Sequence, residues 1–263
     1  MKAPGFDRTW IDRYRSPLLA LADLAVFLLL WQLAVVQFGL VDRIFVSAPA
    51  EVWTALRDLW SAGELQNALT TSARSWVAGY GSGVVVGVAL GLVVGAVRAV
   101  HKLVMPLLWS LWATPLIALQ PMLTVWFGYD SGPIIVLVFL STFIPVALNT
   151  VVGSAAVGPS LLEAGRVFGG GRLALYRKVR LPWTVPYMIG GMRLAVPTSF
   201  IGLLVGEMVG SPSGVGALIT NGTARFQTAQ AFAGIGLYVA VSVALVRLID
   251  LAERRVGRWR GEA

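Results

Sequence analysis

The chain has no cysteine and a single histidine in 263 residues. Without cysteine there is no disulfide framework, no thiolate nucleophile and no sulfur-ligated metal. A metal site needs several ligands, and His101 stands only beside Lys102 at the end of an apolar run, where it reads as a solvated or headgroup-facing side chain. Lysine is scarce too: Lys2, Lys102 and Lys178, none preceded by glycine. The phosphate-cradling loop ending Gly-Lys-Ser or Gly-Lys-Thr is therefore missing, and the chain supplies no ATP site by that route. No Ser-His-Asp set stands out, so nothing marks an enzyme. Charge is low overall, at 13% of residues, against roughly 25% in a soluble globular domain.

What is abundant is apolar: 57% of the residues are hydrophobic and the mean hydropathy is +0.75, which defines an integral membrane protein. The net charge of +8 could suit nucleic acid. The basic residues lie in short loops between apolar runs, however, and not on one soluble face, which argues against that partner.

Six apolar segments, residues 18–38, 77–97, 104–127, 133–152, 186–206 and 231–249, each approach the roughly 20 residues of a spanning helix. None shows the alternation of a barrel strand. The fold class expected is all-α integral membrane, a single transmembrane domain over residues 1–263. The first run is long enough to span, whereas a signal peptide has a shorter apolar region and a small-residue cleavage site.

Orientation follows from Lys and Arg, which are retained on the cytoplasmic side. The amino terminus (Lys2, Arg8, Arg13, Arg15), the second loop (Arg98, Lys102), the fourth loop (Arg166, Arg172, Arg177, Lys178, Arg180) and the tail (Arg254, Arg255, Arg258, Arg260) outweigh Arg43, Arg57, Arg74 and Arg225. Both termini and the fourth loop are expected in the cytoplasm, in a multi-pass inner-membrane protein.

Residues 39–76 are too long for a turn. Val52, Leu56, Leu59 and Trp60 recur at helical spacing, so a short amphipathic helix on the outer surface is expected, either an interfacial brace in the lipid or a contact for an external partner. Trp10, Ile11 and Tyr14 suggest an anchor on the inner surface. No internal repeat is visible.

Gly79, Gly83, Gly87, Gly91 and Gly95 fall every fourth residue and form one helical ridge for close helix packing. Gly81-Ser82-Gly83 follows no strand and is not a dinucleotide fingerprint. The third span carries Pro106, Pro115 and Pro121 with Thr114, Gln120 and Met122. It is either a helix bent to pack or the lining of a translocation path.

Among polar residues within spans, Asp23, Arg193 and Glu207 lie near span ends and can snorkel or pair, with Glu207 the most unusual. Asn149 and Gln120 can bond across helices or touch cargo. The candidate path is Thr114, Pro115, Gln120, Met122, Asn149, Ser199 and Glu207.

The fourth loop, residues 157–183, reads as two short helices beneath the membrane. Ser160 can cap a helix from Leu161 to Phe168, with Glu163 completing a capping box. Gly169-Gly170-Gly171 ends it; a second stretch with Leu173, Leu175, Tyr176 and Val179 follows, and Pro182 stops it before the next span. Retaining charge needs no such construction.

Glu163-Ala164-Gly165, three residues, Gly169, nine residues, Val179, one residue and Leu181-Pro182 resemble the cytoplasmic signature of permease subunits of binding-protein-dependent ABC importers. Gly165 stands for an alanine and Val179 for an isoleucine. Ser47-Ala48-Pro49, Gly63-Glu64-Leu65, the helix Pro115 to Gly128, Gly190-Gly191-Met192-Arg193-Leu194, and Glu207 with Ser213-Gly214-Val215-Gly216 look like the nitrate, sulfonate and taurine branch.

The resemblance implies a permease subunit that forms the pathway for a small solute delivered by an external solute-binding protein. It also implies a cytosolic ABC ATPase dimer that carries the ATP and Mg, with no cofactor on this chain, and a homodimer as the pore. Glu163, Ala164, Gly165, Arg166, Gly169, Arg172, Leu181 and Pro182 would form the coupling interface. A stand-alone secondary transporter or channel, or a membrane anchor for a cytosolic complex, are the other classes open to such a chain.

Overall fold

A computed structural model describes the backbone of residues 17–211 and 213–257. Every regular element among these residues is helical, because hydrocarbon offers no partner for an unpaired backbone group. In chain order the helices are α1 (Pro17–Gln32), α2 (Pro49–Ser61), α3 (Glu64–Ala96), α4 (Arg98–Ala113), α5 (Gln120–Phe127), α6 (Ser131–Ala155), α7 (Pro159–Val167), α8 (Arg172–Leu175), α9 (Leu181–Gly210), α10 (Val215–Ala224) and α11 (Thr228–Gly257). The anchor residues Trp10, Ile11 and Tyr14, the cations Lys2, Arg8, Arg13 and Arg15, and Arg258 and Arg260 lie outside the described residues, as do the side chains of Arg254 and Arg255.

Among the described residues, four helical stretches are long and apolar enough to cross a membrane: α3, α6, Arg172–Gly210 and Thr228–Leu251. Helix α4 and Leu116–Phe127 reach that length and apolarity only as a pair, bent by 83° at the break between them. The first apolar segment is helical from Pro17, α1 running directly into a π-turn, Leu33–Gln37.

Three boundaries differ from the expected ones. The third span is not one kinked helix over residues 104–127. Thr114 and Pro115 leave the helical conformation (ψ 129° and 89°), because a proline ring pushes the residue before it out of the α region. Pro106 stays inside α4 and Pro121 sits in the first turn of α5, where no donor is needed.

The second span, expected over residues 77–97, is the later part of a longer helix. Helix α3 begins at Glu64 and has 33 residues, about 50 Å, well beyond the roughly 30 Å hydrocarbon core. Its first turns bury Leu65, Ala68, Ser72 and Ser75, a mixed face that hydropathy does not mark. The fifth span is not preceded by a stop at Pro182. Pro182 lies in the first turn of α9, and the chain winds into it from α8 through a π-turn, Tyr176–Arg180.

Helix α6 lies at the centre. On one side α3 runs parallel to it. A Cβ added at Gly79, Gly83, Gly87, Gly91 or Gly95 would come within 2.7, 2.7, 3.0, 2.5 and 2.5 Å of α6 atoms, with Val138, Thr142, Val146, Thr150 and Ser154 facing them in turn. Thr142 and Thr150 donate to their own helix, at Val138 O and Val146 O, which leaves their methyl groups for the glycine groove.

On the other side α9 runs antiparallel to α6, with Gly191 against Val146 and Asn149 and Gly202 against Ser141. Trp76 of α3 stacks on Tyr80 and tilts against Phe200 of α9, which meets Tyr238 of α11 edge-on. The α3–α4 junction and residues 157–183 share one end of the bundle, where Arg180 donates to Gly95 O at 3.2 Å. Helix α2 and the α10–α11 turn share the other, where the hydroxyls of Ser47 and Thr228 lie 2.6 Å apart.

Candidate functional site

At the basic end, α7 opens on Pro159 with Gly158 as its N-cap, and no side chain caps it. The expected Ser160 cap does not form, because proline presets the first helical position and leaves Ser160 and Glu163 inside the helix. The far end of α7 is closed by Gly170 N–H to Gly165 O at 3.0 Å and Gly169 N–H to Arg166 O at 2.9 Å, the Schellman pattern, with Gly169 left-handed at φ +79°.

Gly165 faces Leu175 of α8 so closely that a side chain there would collide with it. It is part of the joint between the two short helices. Glu163, Ala164, Arg166, Gly169 and Arg172 are exposed, while Leu181 and Pro182 are half-buried at the base of α9.

Three strongly exposed side chains of the loop are apolar ones that sequence reasoning did not single out as contacts: Phe168 at 90%, Val167 at 85% and Leu173 at 68%. The available signal was an apolar Val-Phe pair in a basic, glycine-punctuated loop. Behind them Glu163, Arg166 and Arg180 face Arg98, His101 and Lys102 across an open cleft of about 550 Å³.

A second feature lies at the α4–α5 break. An apolar cavity of about 230 Å³ is lined by Thr114, Leu116, Ile117, Ser141, Thr198 and Gly202 among others. Of the seven candidate path residues, Thr114 lines it and Pro115 makes the break. Met122 is exposed on α5.

The other four sit elsewhere. Buried Gln120 turns its amide towards Gly206 O at 3.4 Å, and Asn149 donates to Pro145 O of its own helix at 2.9 Å. Ser199 faces α3, accepting the Trp76 indole N–H at 2.9 Å. Glu207 is fully buried and receives Ser72, Gly216 and Tyr238. The hydroxyls of Ser141 and Thr198, which do line the cavity, were not singled out, since Ser and Thr within apolar runs are common helix glue. Arg193 pairs with Asp250 at 2.9 Å.

At the far end α2 is closed by Glu51, which accepts Ala48 N–H at 2.9 Å. Between α2 and the α10–α11 turn is an open polar cleft of about 570 Å³ lined by Arg43, Glu51, Asp58, Gln227 and Gln230 among others. Phe226 stands beside it, 72% exposed and left-handed at φ 58°.

An all-helical membrane bundle, broken at a cavity and carrying a two-helix loop with an exposed apolar tip at one end, is built like a transport permease. The chain belongs to the family of binding-protein-dependent transport system inner membrane components, whose model matches residues 83–258. It is 31% identical over 236 residues to SsuC of Bacillus subtilis (strain 168), provisionally described as an aliphatic sulfonates transport permease protein; the match covers 90% of this chain and 85% of that protein.

It is 29% identical to the riboflavin transport system permease protein RibX of Chloroflexus aurantiacus, over 95% of this chain and 93% of that one. With the taurine transport system permease protein TauC of Escherichia coli (strain K12) the identity is 24%, over 94% and 92%. It is thus an ABC transporter permease, similar to the sulfonate and taurine branch.

Proposed function

We propose that this chain forms the translocation pathway of an ATP-driven importer of a small solute, as a homodimer in the inner membrane with both termini in the cytoplasm. The observation that carries this reading is the exposed apolar tip Val167, Phe168 and Leu173, standing on α7 and α8 amid Arg166, Arg172 and Arg177. Exposed apolar side chains this prominent, rimmed by charge, mark a protein contact. A chain without a phosphate loop needs a partner to supply ATP chemistry.

In this reading the tip, with Glu163, Ala164, Arg166, Gly169 and Arg172, seats in a cytosolic ATPase dimer that holds ATP and Mg. Nucleotide-driven closure then swings the bundle between two openings. The solute passes along the α4–α5 break by Thr114, Ser141 and Thr198, where irregular backbone is tolerated because it lines a cavity. An external binding protein delivers it to the polar cleft beside α2. The relatives are described as carrying sulfonates, taurine and riboflavin, and the cargo here belongs to small organic solutes of that size.

The experiment is purification from the native membrane in mild detergent. An ATPase subunit should travel with the wild-type chain and be lost from Glu163→Arg. A wild-type chain that purifies alone, or a variant that keeps both its ATPase and normal uptake, overturns the coupling assignment.

A further inference from the structure

Glu207 ties four helices together through one carboxyl group. Ser72 of α3 donates to its Oε1 at 2.6 Å, while the Gly216 N–H of α10 and the Tyr238 hydroxyl of α11 donate to its Oε2 at 2.8 and 2.6 Å. Ser72 Oγ in turn accepts the Val215 N–H at 3.0 Å. Glu207 is 0% exposed. Burying a carboxyl group is costly unless its oxygens are satisfied, and here two oxygens receive three donors.

The chain is shaped around this group. A Cβ at Gly214 would lie 2.5 Å from the carboxyl carbon, and one at Gly216 2.6 Å from Glu207 Cβ. Gly214 is also left-handed at φ +108°, so glycine there meets both a steric and a conformational demand. The turn Gly214-Val215-Gly216 thereby closes over the carboxyl and gives it the Gly216 N–H from the first turn of α10, at the end of a helix that favours negative charge.

The two directions leading away from Glu207 give the contact its meaning. Outward, α10 leads to Phe226 and to Thr228, whose hydroxyl meets Ser47 beside α2, so the wall of the far-end cleft hangs on the α10 segment. Inward, α9 runs from Glu207 to Leu181 and through the π-turn into the loop with the exposed apolar tip. Glu207 stands where the outer cap joins the helix that reaches the opposite end.

We infer that Glu207 is a positioning residue of transport: a pin that carries load from an external partner on the outer cap into α9, and so to the ATPase. This rests on the function proposed above.

The test uses the complete transporter, with permease, ATPase and solute-binding protein reconstituted in liposomes. It reads the ratio of ATP hydrolysis with and without liganded binding protein. Glu207→Gln keeps the shape but replaces one accepting oxygen with a donating amide; Tyr238→Phe and Ser72→Ala each remove one donor.

The expected result is a several-fold fall in that ratio for Glu207→Gln, with a smaller fall for Tyr238→Phe and Ser72→Ala. The basal rate and the co-purifying ATPase should be unchanged. If Glu207→Gln does not assemble, the two single-donor variants decide. Wild-type ratios in the variants, or equal losses of basal and stimulated rates, sink the pin. A wild-type chain that binds no ATPase sinks the proposed function itself, and the pin with it.

Discussion

Thr198 of α9 donates its hydroxyl to the carbonyl of Ser141 on α6 at 3.0 Å. That carbonyl is the one Pro145 leaves without a helical partner, because proline has no N–H to return to the residue four positions earlier. A side chain from the neighbouring helix supplies the missing donor beside the cavity at the α4–α5 break. Thr198→Val keeps the shape and removes the donor, and should cost about 1–3 kcal/mol. Thermal unfolding in detergent measures this, with Thr198→Ser expected near wild type; equal stability of all three would refute the pairing.

The groove between α3 and α6 has no room at Gly91, where a Cβ would lie 2.5 Å from Thr150 Cβ, while Gly81 on the same helix faces open space. Gly91→Leu should therefore destabilise by at least about 1–3 kcal/mol. Gly81→Ala should stay within about 0.5 kcal/mol of wild type. The pair is read by the same melting assay, and a similar loss at both positions contradicts the geometry.

Phe168, at 90% exposure, touches too little of its own chain to matter for folding. Phe168→Asp should leave the melting temperature of the isolated permease unchanged and still abolish co-purification of the ATPase. Retention of the ATPase by this variant shows that the tip is not the contact.

The chain has no cysteine, so introduced thiols report cleanly. Ser47→Cys with Thr228→Cys should close a disulfide on oxidation, the hydroxyls being 2.6 Å apart. In intact cells a membrane-impermeant thiol reagent should label Phe226→Cys from outside and leave Phe168→Cys unlabelled until the membrane is opened. The reverse pattern inverts the assigned orientation.

The legible part of this protein was what hydropathy and spacing carry. Apolar runs locate the bundle, because a bilayer imposes length and apolarity on each crossing. The Glu163 to Pro182 spacing signals the family, and the short helix over Pro49–Ser61 shows in its periodicity. The details of the loop were less legible: Ser160 reads as a cap, yet Pro159 starts the helix before it. Helix α10 was hidden because its ten residues are short for a crossing and its glycines read as loop.

The sequence alone determined an apolar helical chain with one basic, glycine-hinged loop and a glycine every fourth residue along α3, since composition and period act locally along the chain. Only the tertiary structure decided what each feature meets. It set Thr150 and Ser154 against the glycine ridge, drew Ser141 and Thr198 to the break at Pro115, and turned Gly165 inward onto Leu175. It also closed Gly214 and Gly216 over Glu207. These pairings join residues far apart in the chain, so they follow from helix packing and from buried polar groups finding partners, which no local pattern encodes.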